Sequence, residues 1–243
     1  AGRWPAGPDG SGFTLAKRDP MTATADADHW TVSQQRGGTP GTLNFINDGT
    51  PSTFTTSTLL ASGAPVTALV PSNDSLGSSW ISPTFNDASW LTGTTGVGYE
   101  SSSGFESLLG LDLDDPPNAQ TPQPMNGVNA TVYVRVDFQV SSDPNQYDAI
   151  ALKMKYDDGF VAYLNGTEVA RDNAPNLLSG TAGAEISQDD SNAVVFREFD
   201  ITSFSHLLVQ DETNVLAIHG LNFEITSSDM LIMPEIEVRD FDI

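Results

Sequence analysis

The sequence predicts an all-β sandwich, and three observations carry that prediction. Residues 131–140, TVYVRVDFQV, alternate with a period of two: Val132, Val134, Val136 and Phe138 fall on one face, Tyr133, Arg135, Asp137 and Gln139 on the other. That is the signature of a half-buried strand. Turn dipeptides recur at short spacing, with Asp158-Gly159 and Asn165-Gly166 both suited to two-residue hairpin turns, whose central positions favour positive φ. Helical patterning is scarce, confined to single turns at 203–208 and, more weakly, 107–109. Many strands joined by close turns make a sandwich rather than a helical or mixed fold.

Taken in order, residues 1–44 read differently from the rest. They are turn-rich, with Asp9-Gly10 and Gly12 before a short apolar run, Phe13–Ala16, and one strand at Trp30–Gln34 closed by Gly37-Gly38 and Pro40-Gly41. Two short strands cannot bury a core of their own, so they form an extended segment that must lean on something else. From about residue 45 the pattern is strand, turn, strand. After 131–140 come AIALKMKY with Ile150, Leu152 and Met154 on one face, then FVAYL, TEVAR, and strands at 193–201, 214–222 and 230–240. Residues 112–127 form the longest irregular loop.

The chain has 243 residues, enough for one large β domain, and a formal charge of −22 from 10 basic and 32 acidic residues. Such a charge repels nucleic acid and anionic membrane surfaces. It suits a cation-rich exterior where divalent ions neutralise clustered carboxylates. Without cysteine there are no disulfides, thiolate zinc sites or cysteine nucleophiles. No run is long enough to insert in a membrane, and residues 1–20 lack the apolar core of a signal peptide, as expected of a mature or excised piece.

Residues 78–100, SSWISPTFNDASWLTGTTGVGYE, resemble the opening of a galactose-binding-like jelly-roll module: a Trp, an Asp- and Ser-rich segment, a second Trp, then Gly-Tyr. VYVRVDFQV, YDDGFVAYLNGTEVARDN and TNVLAIHGLN followed by SSDMLIMPEIEV look like its later strands in the same order. The resemblance spans roughly residues 50–240 and implies a jelly-roll sandwich over 45–243, an accessory module of large secreted bacterial proteins. Residues 1–44 resemble the closing strands of a lamin-tail domain, an immunoglobulin-like sandwich, of which only the last third is present. The expected function is therefore non-catalytic, extracellular or cell-surface, and carbohydrate-binding, with a polysaccharide or glycan as partner. The alternative is a subunit of an extracellular fibre, in which residues 1–44 join copies of the chain by strand addition.

Candidate ligands for a metal lie in YDDGFVAYLNGTEVARDN. With two tight turns, Asp157, Asp158, Asp172 and Asn173 reach one rim of the sheet, and Ser228-Asp229, before the last strand, could join them. Oxygen donors of this kind suit Ca²⁺. The plainer reading, which the sequence favours, is that Asp157 and Asp158 only accept backbone hydrogen bonds in a turn. The acidic groups at 112–115 and 189–190 read as solvated loops. For a sugar, the candidates are Trp80, Phe105 and Tyr156, with Asn173 and Asn222 as polar loop groups. Trp90 and Tyr99 read as core. Catalytic patterns are lacking: His29, His206 and His219 stand alone, and there is no G-x-S-x-G elbow or phosphate-binding glycine loop.

Overall fold

A computed structural model describes residues 13–17, 30–38, 54–117 and 120–241. The remainder of the expected 1–44 segment, and the start of the sandwich placed at residue 45, lie outside the described residues. β1 (Phe13–Lys17) and β2 (Trp30–Arg36) pair antiparallel as a separate two-stranded sheet. Then follow β3 (Phe54–Leu60), β4 (Pro65–Leu69), β5 (Leu91–Thr94), β6 (Val97–Glu100), β7 (Leu111–Asp112) and β8 (Thr131–Gln139). The last six strands are β9 (Ala149–Asp157), β10 (Gly159–Leu164), β11 (Thr167–Asp172), β12 (Arg197–Asp200), β13 (Thr213–Leu221) and β14 (Asp229–Phe241). A one-turn helix, α1 (Asp190–Ala193), precedes β12, and short 3-10 turns lie at Ser79–Ile81, Pro144–Gln146 and Thr202–Leu207.

Two six-stranded sheets form the sandwich. One has the order β11-β10-β13-β8-β4-β5; the other runs β12-β9-β14-β6-β7, with β3 paired to the far half of β14. From β8 to β14 the chain alternates between the sheets, staying in one sheet only for the β10–β11 hairpin. Between them lies one apolar core, in which Val132, Val134, Val136 and Phe138 of β8 meet Ile150, Leu152 and Met154 of β9. Burying such a side chain is worth about 1.5–3 kcal/mol relative to exposure, which is why the alternating positions set the register.

The outer face of β8 departs from the half-buried expectation. Tyr133 and Arg135 are buried as well, because residues 72–90 fold across this face and bring Trp80, Phe85 and Trp90 against it. Only Asp137 and Gln139, beyond that cover, stay exposed. On the opposite sheet Phe105, Ala193 and Leu231 make a smaller cover with Leu108, Leu109 and Met233. Residues 107–109 form no helix; Phe105 and Leu108 close a hydrogen-bonded turn instead. The strand expected at 193–201 is shortened to β12, since Ala193 and Val194 turn in under this cover.

Of the two expected hairpin turns, one is a hairpin. Asn165 and Gly166 have φ of 48° and 88°, and the Asn165 side chain ties the turn down by accepting from the Val215 N–H at 2.8 Å. Asp158-Gly159 is instead a corner between sheets. β9 pairs with β12 and β14, whereas β10 pairs with β11 and β13. Gly159 is required there because a Cβ would overlap the Asn173 carbonyl.

Candidate functional site

The corner at the end of β9 gathers acid. Asp157 closes β9, Asp229 opens β14 beside it, and Asp190 begins α1. A carboxylate oxygen from each lies within 4.8 Å of the other two. Asp157 and Asp229 are buried and Asp190 is exposed. Burial, then the charges of Asp158 and Asp229, pushes the Asp157 carboxyl up to about 9. Its Oδ1 is buried without a hydrogen-bond partner, as is Oδ1 of Asn222 nearby, whose Nδ2 donates to the Asp229 carbonyl at 2.8 Å. Ser228 Oγ donates to the Asp229 carboxylate at 3.1 Å. Three convergent carboxylates can hold a metal ion.

This set overlaps the expected one only in part. Asp157 and Asp229 are in it, but Asp158, Asp172 and Asn173 are employed elsewhere. The Asp158 carboxylate accepts from the Gln188 N–H at 2.5 Å and the Phe223 N–H at 2.7 Å. Those amides partly offset the burial that raises its pKa. This is the backbone-capping reading, correct for Asp158. Asp172 binds Arg197 and the Tyr156 hydroxyl. Asn173 fastens the loop after β11, donating to the Asp158 and Ile186 carbonyls at 3.0 and 2.6 Å and accepting from the Ile186 N–H. Asp190, read from sequence as a solvated loop residue, takes their place. Nothing local distinguishes it; only the path of the loop brings it to the corner.

A second candidate lies on the outer face of the β8-containing sheet. Asp74, Ser78, Trp80, Tyr133, Tyr163 and His219 line a hollow of about 470 Å³, closed at one side by Leu178 and Ser179 of the β11–β12 connection. Trp80 stacks on Tyr133 with ring centroids 4.1 Å apart, and Tyr163 meets Trp80 edge-on at 6.0 Å. Arg135 holds this wall by donating to the Trp80 and Ser82 carbonyls at 2.5 and 3.0 Å while pairing with Asp87 at 2.7 Å. The Thr131 hydroxyl donates to the Ala182 carbonyl at 2.7 Å, so it accepts from His219 Nε2 at 3.2 Å, which leaves Nδ1 as the acceptor. Burial keeps this imidazole neutral, its pKa pushed down to about 4. Aromatic surface with a few converging polar groups is the usual make-up of a small-molecule pocket.

The aromatics expected to be exposed are not. Phe105 is 0% and Tyr156 1% accessible, so neither offers a ring face to a sugar. Phe105 plugs the cover on the opposite sheet; Tyr156 spans the core edge with its hydroxyl on Asp172. Trp80 lines the hollow but is only 3% accessible. Asn222 is fully buried, and Asn173 lines a separate polar hollow of about 450 Å³ with Gln188, Asp189 and Arg197. Tyr133, Tyr163 and His219 were the residues sequence reasoning missed. Their common signal, an aromatic or His on the non-core parity of β8, β10 and β13, becomes visible only when those strands are adjacent.

No protein-family model matches the chain and no curated protein matches it. Among solved structures it is similar to part of Bacteroides uniformis β-glucuronidase 2, with 15% identity and a TM-score of 0.45, over 76% of this chain and 18% of that one. A glycosyl hydrolase family 2 member from Bacteroides cellulosilyticus shares 11% identity over 76% of this chain and 20% of its own, with a TM-score of 0.42. A β-glucuronidase of an uncultured Clostridium species shares 12% over 78% and 30%, with a TM-score of 0.41. The chain spans less than a third of the length of each enzyme.

Proposed function

We propose that the chain is a non-catalytic carbohydrate-binding module of a secreted or cell-surface protein, with calcium as a structural element and residues 1–44 as the end of a preceding lamin-tail-like domain. The observation that supports this best is the outer-face hollow. Tyr163 supplies a partly exposed ring, Asp74 and the Ser78 and Ser179 hydroxyls supply hydrogen-bonding groups, and His219 adds a neutral imidazole to the lining. The ligand is a neutral glycan: a chain of net charge −22 with Asp74 in the pocket repels uronates. Calcium suits the corner because its donors are all oxygen, with no imidazole or thiolate among them.

The test is retention of the chain in gels containing neutral polysaccharides, with Tyr163→Ala alongside. The module should be retarded by at least one of them. Tyr163→Ala should weaken that binding by about tenfold or more while keeping the β-sheet circular dichroism signal, as expected when one aromatic anchor is removed. Equal retardation of both proteins would move the binding face away from the hollow. No retardation by any neutral glycan, or hydrolysis of one, would overturn the reading.

A further inference from the structure

We propose that Asp157, Asp190 and Asp229 together bind one divalent cation of the calcium type, and that this ion clasps the β11–β12 connection to the corner of the sandwich. Two independent observations support the site. The first is convergence: three carboxylates from three elements that are far apart in sequence place oxygens within 4.8 Å of one another. Among the described residues none of the three forms an ion pair with Lys or Arg, while Arg197 close by is engaged by Asp172. The second is an unmet polar atom. Asp157 is only 2% exposed, yet its Oδ1 has no hydrogen-bond partner; Asn222 Oδ1, on a fully buried side chain bonded to the Asp229 carbonyl, is in the same state. Buried polar atoms are nearly always satisfied, so Asp157 Oδ1, on a side chain of the triad itself, marks a place where something polar belongs.

The donor chemistry selects the ion. Every converging atom is a carboxylate oxygen, which suits a hard cation and gives no reason to bind copper or zinc in preference. The exposed Asp190 leaves the outer side open for water, as a cation of six to eight ligands needs when the protein supplies three carboxylates. Ser228 Oγ, donating to Asp229, fixes one ligand in orientation.

The position of Asp190 gives the ion its role. The connection from 173 to 196 crosses the end of the sandwich, held in sequence by Asn129 on the Gly180 carbonyl, Thr131 on Ala182, the Ala184 N–H on Asn222, and Asp158 on the Gln188 N–H. Asp190 is the next anchor, the one that closes through charge. This inference rests on the calcium part of the proposed function and not on its sugar-binding part, because its readout needs no glycan.

The full chain is stripped with chelator and titrated with calcium chloride, following heat on binding, melting temperature and cleavage of the 173–196 connection by proteinase K. Calcium should bind with one site per chain, raise the melting temperature by several degrees and slow cleavage, since a ligand of the native state stabilises it. Asp190→Asn, at an exposed position that does not threaten the fold, should weaken binding by about tenfold or more, as loss of a charged ligand does. Asp157→Asn should abolish the response while melting no lower than the chelated wild type. The proposal is overturned if calcium produces neither heat nor a melting shift, which would leave a shared proton as the occupant. It is equally overturned if Asp190→Asn binds calcium as tightly as the wild type.

Discussion

Replacing Arg135 by Met tests how the outer face of the sandwich is held. The guanidinium is 3% exposed, bonded through Nε to Asp87 and through Nη1 to two carbonyls, with Phe85 beneath it at 5.5 Å. Met keeps most of the volume and removes all three donors. Breaking a buried ion pair by deleting one partner costs about 3–5 kcal/mol. Asp87, about a quarter exposed, rehydrates and keeps its bond from the Thr67 hydroxyl at 2.8 Å, so the lower end applies. The Trp80 carbonyl does not rehydrate, and a buried orphan acceptor alone costs about 1–3 kcal/mol. We expect a loss near 3 kcal/mol, or roughly 6–12 °C in melting temperature for a chain of this size. Urea denaturation followed by tryptophan fluorescence measures it, and the near-ultraviolet circular dichroism from the Trp80–Tyr133 stack should weaken in the native baseline. A variant within about 1 kcal/mol of wild type would refute the argument, because the outer cover would then be held by its apolar contacts alone.

Three further outcomes follow from the packing of single residues. His219 stays neutral in the folded state down to about pH 4, whereas an unfolded chain protonates it below about 6.5. Its contribution is therefore complete above pH 6.5 and lost as pH falls toward 4, and between pH 7 and 4.5 the wild type should lose about 2–3 kcal/mol more than His219→Gln in urea melts. Gly98→Ala should cost at least about 3 kcal/mol or prevent soluble expression, because its Cβ would overlap the Met230 carbonyl of the paired strand, where backbone cannot yield cheaply. By contrast Gly63→Ala, with open space around it and φ of +82°, should cost only about 1–2 kcal/mol, the price of the left-handed conformation.

Much of the strand content is legible in the sequence. Alternation in 131–140 and 149–156 placed the core-facing residues of β8 and β9 correctly, since a period of two is a property of the strand itself. Asn165-Gly166 was likewise legible, because the positive φ it requires is a local preference met by those two residues. Asp158-Gly159 has the same composition and does something else. What separates them is partner choice: whether β9 and β10 pair with each other or with strands from later in the chain.

That distinction explains what only the tertiary structure decided. Local sequence carries side-chain parity and turn preference, which act over two to four residues. It carries nothing about which strands share a sheet. Once β14 lies beside β9, Asp229 meets Asp157, and the connection crossing the sandwich end brings Asp190 to both. Once β8, β13 and β10 are neighbours, Tyr133, His219 and Tyr163 face one hollow, and the 72–90 segment turns the solvent side of β8 into a second interior. The acids and the aromatics were all present in the sequence; their burial and their company arise from contacts between segments distant along the chain, where the free energy of packing outweighs any local preference.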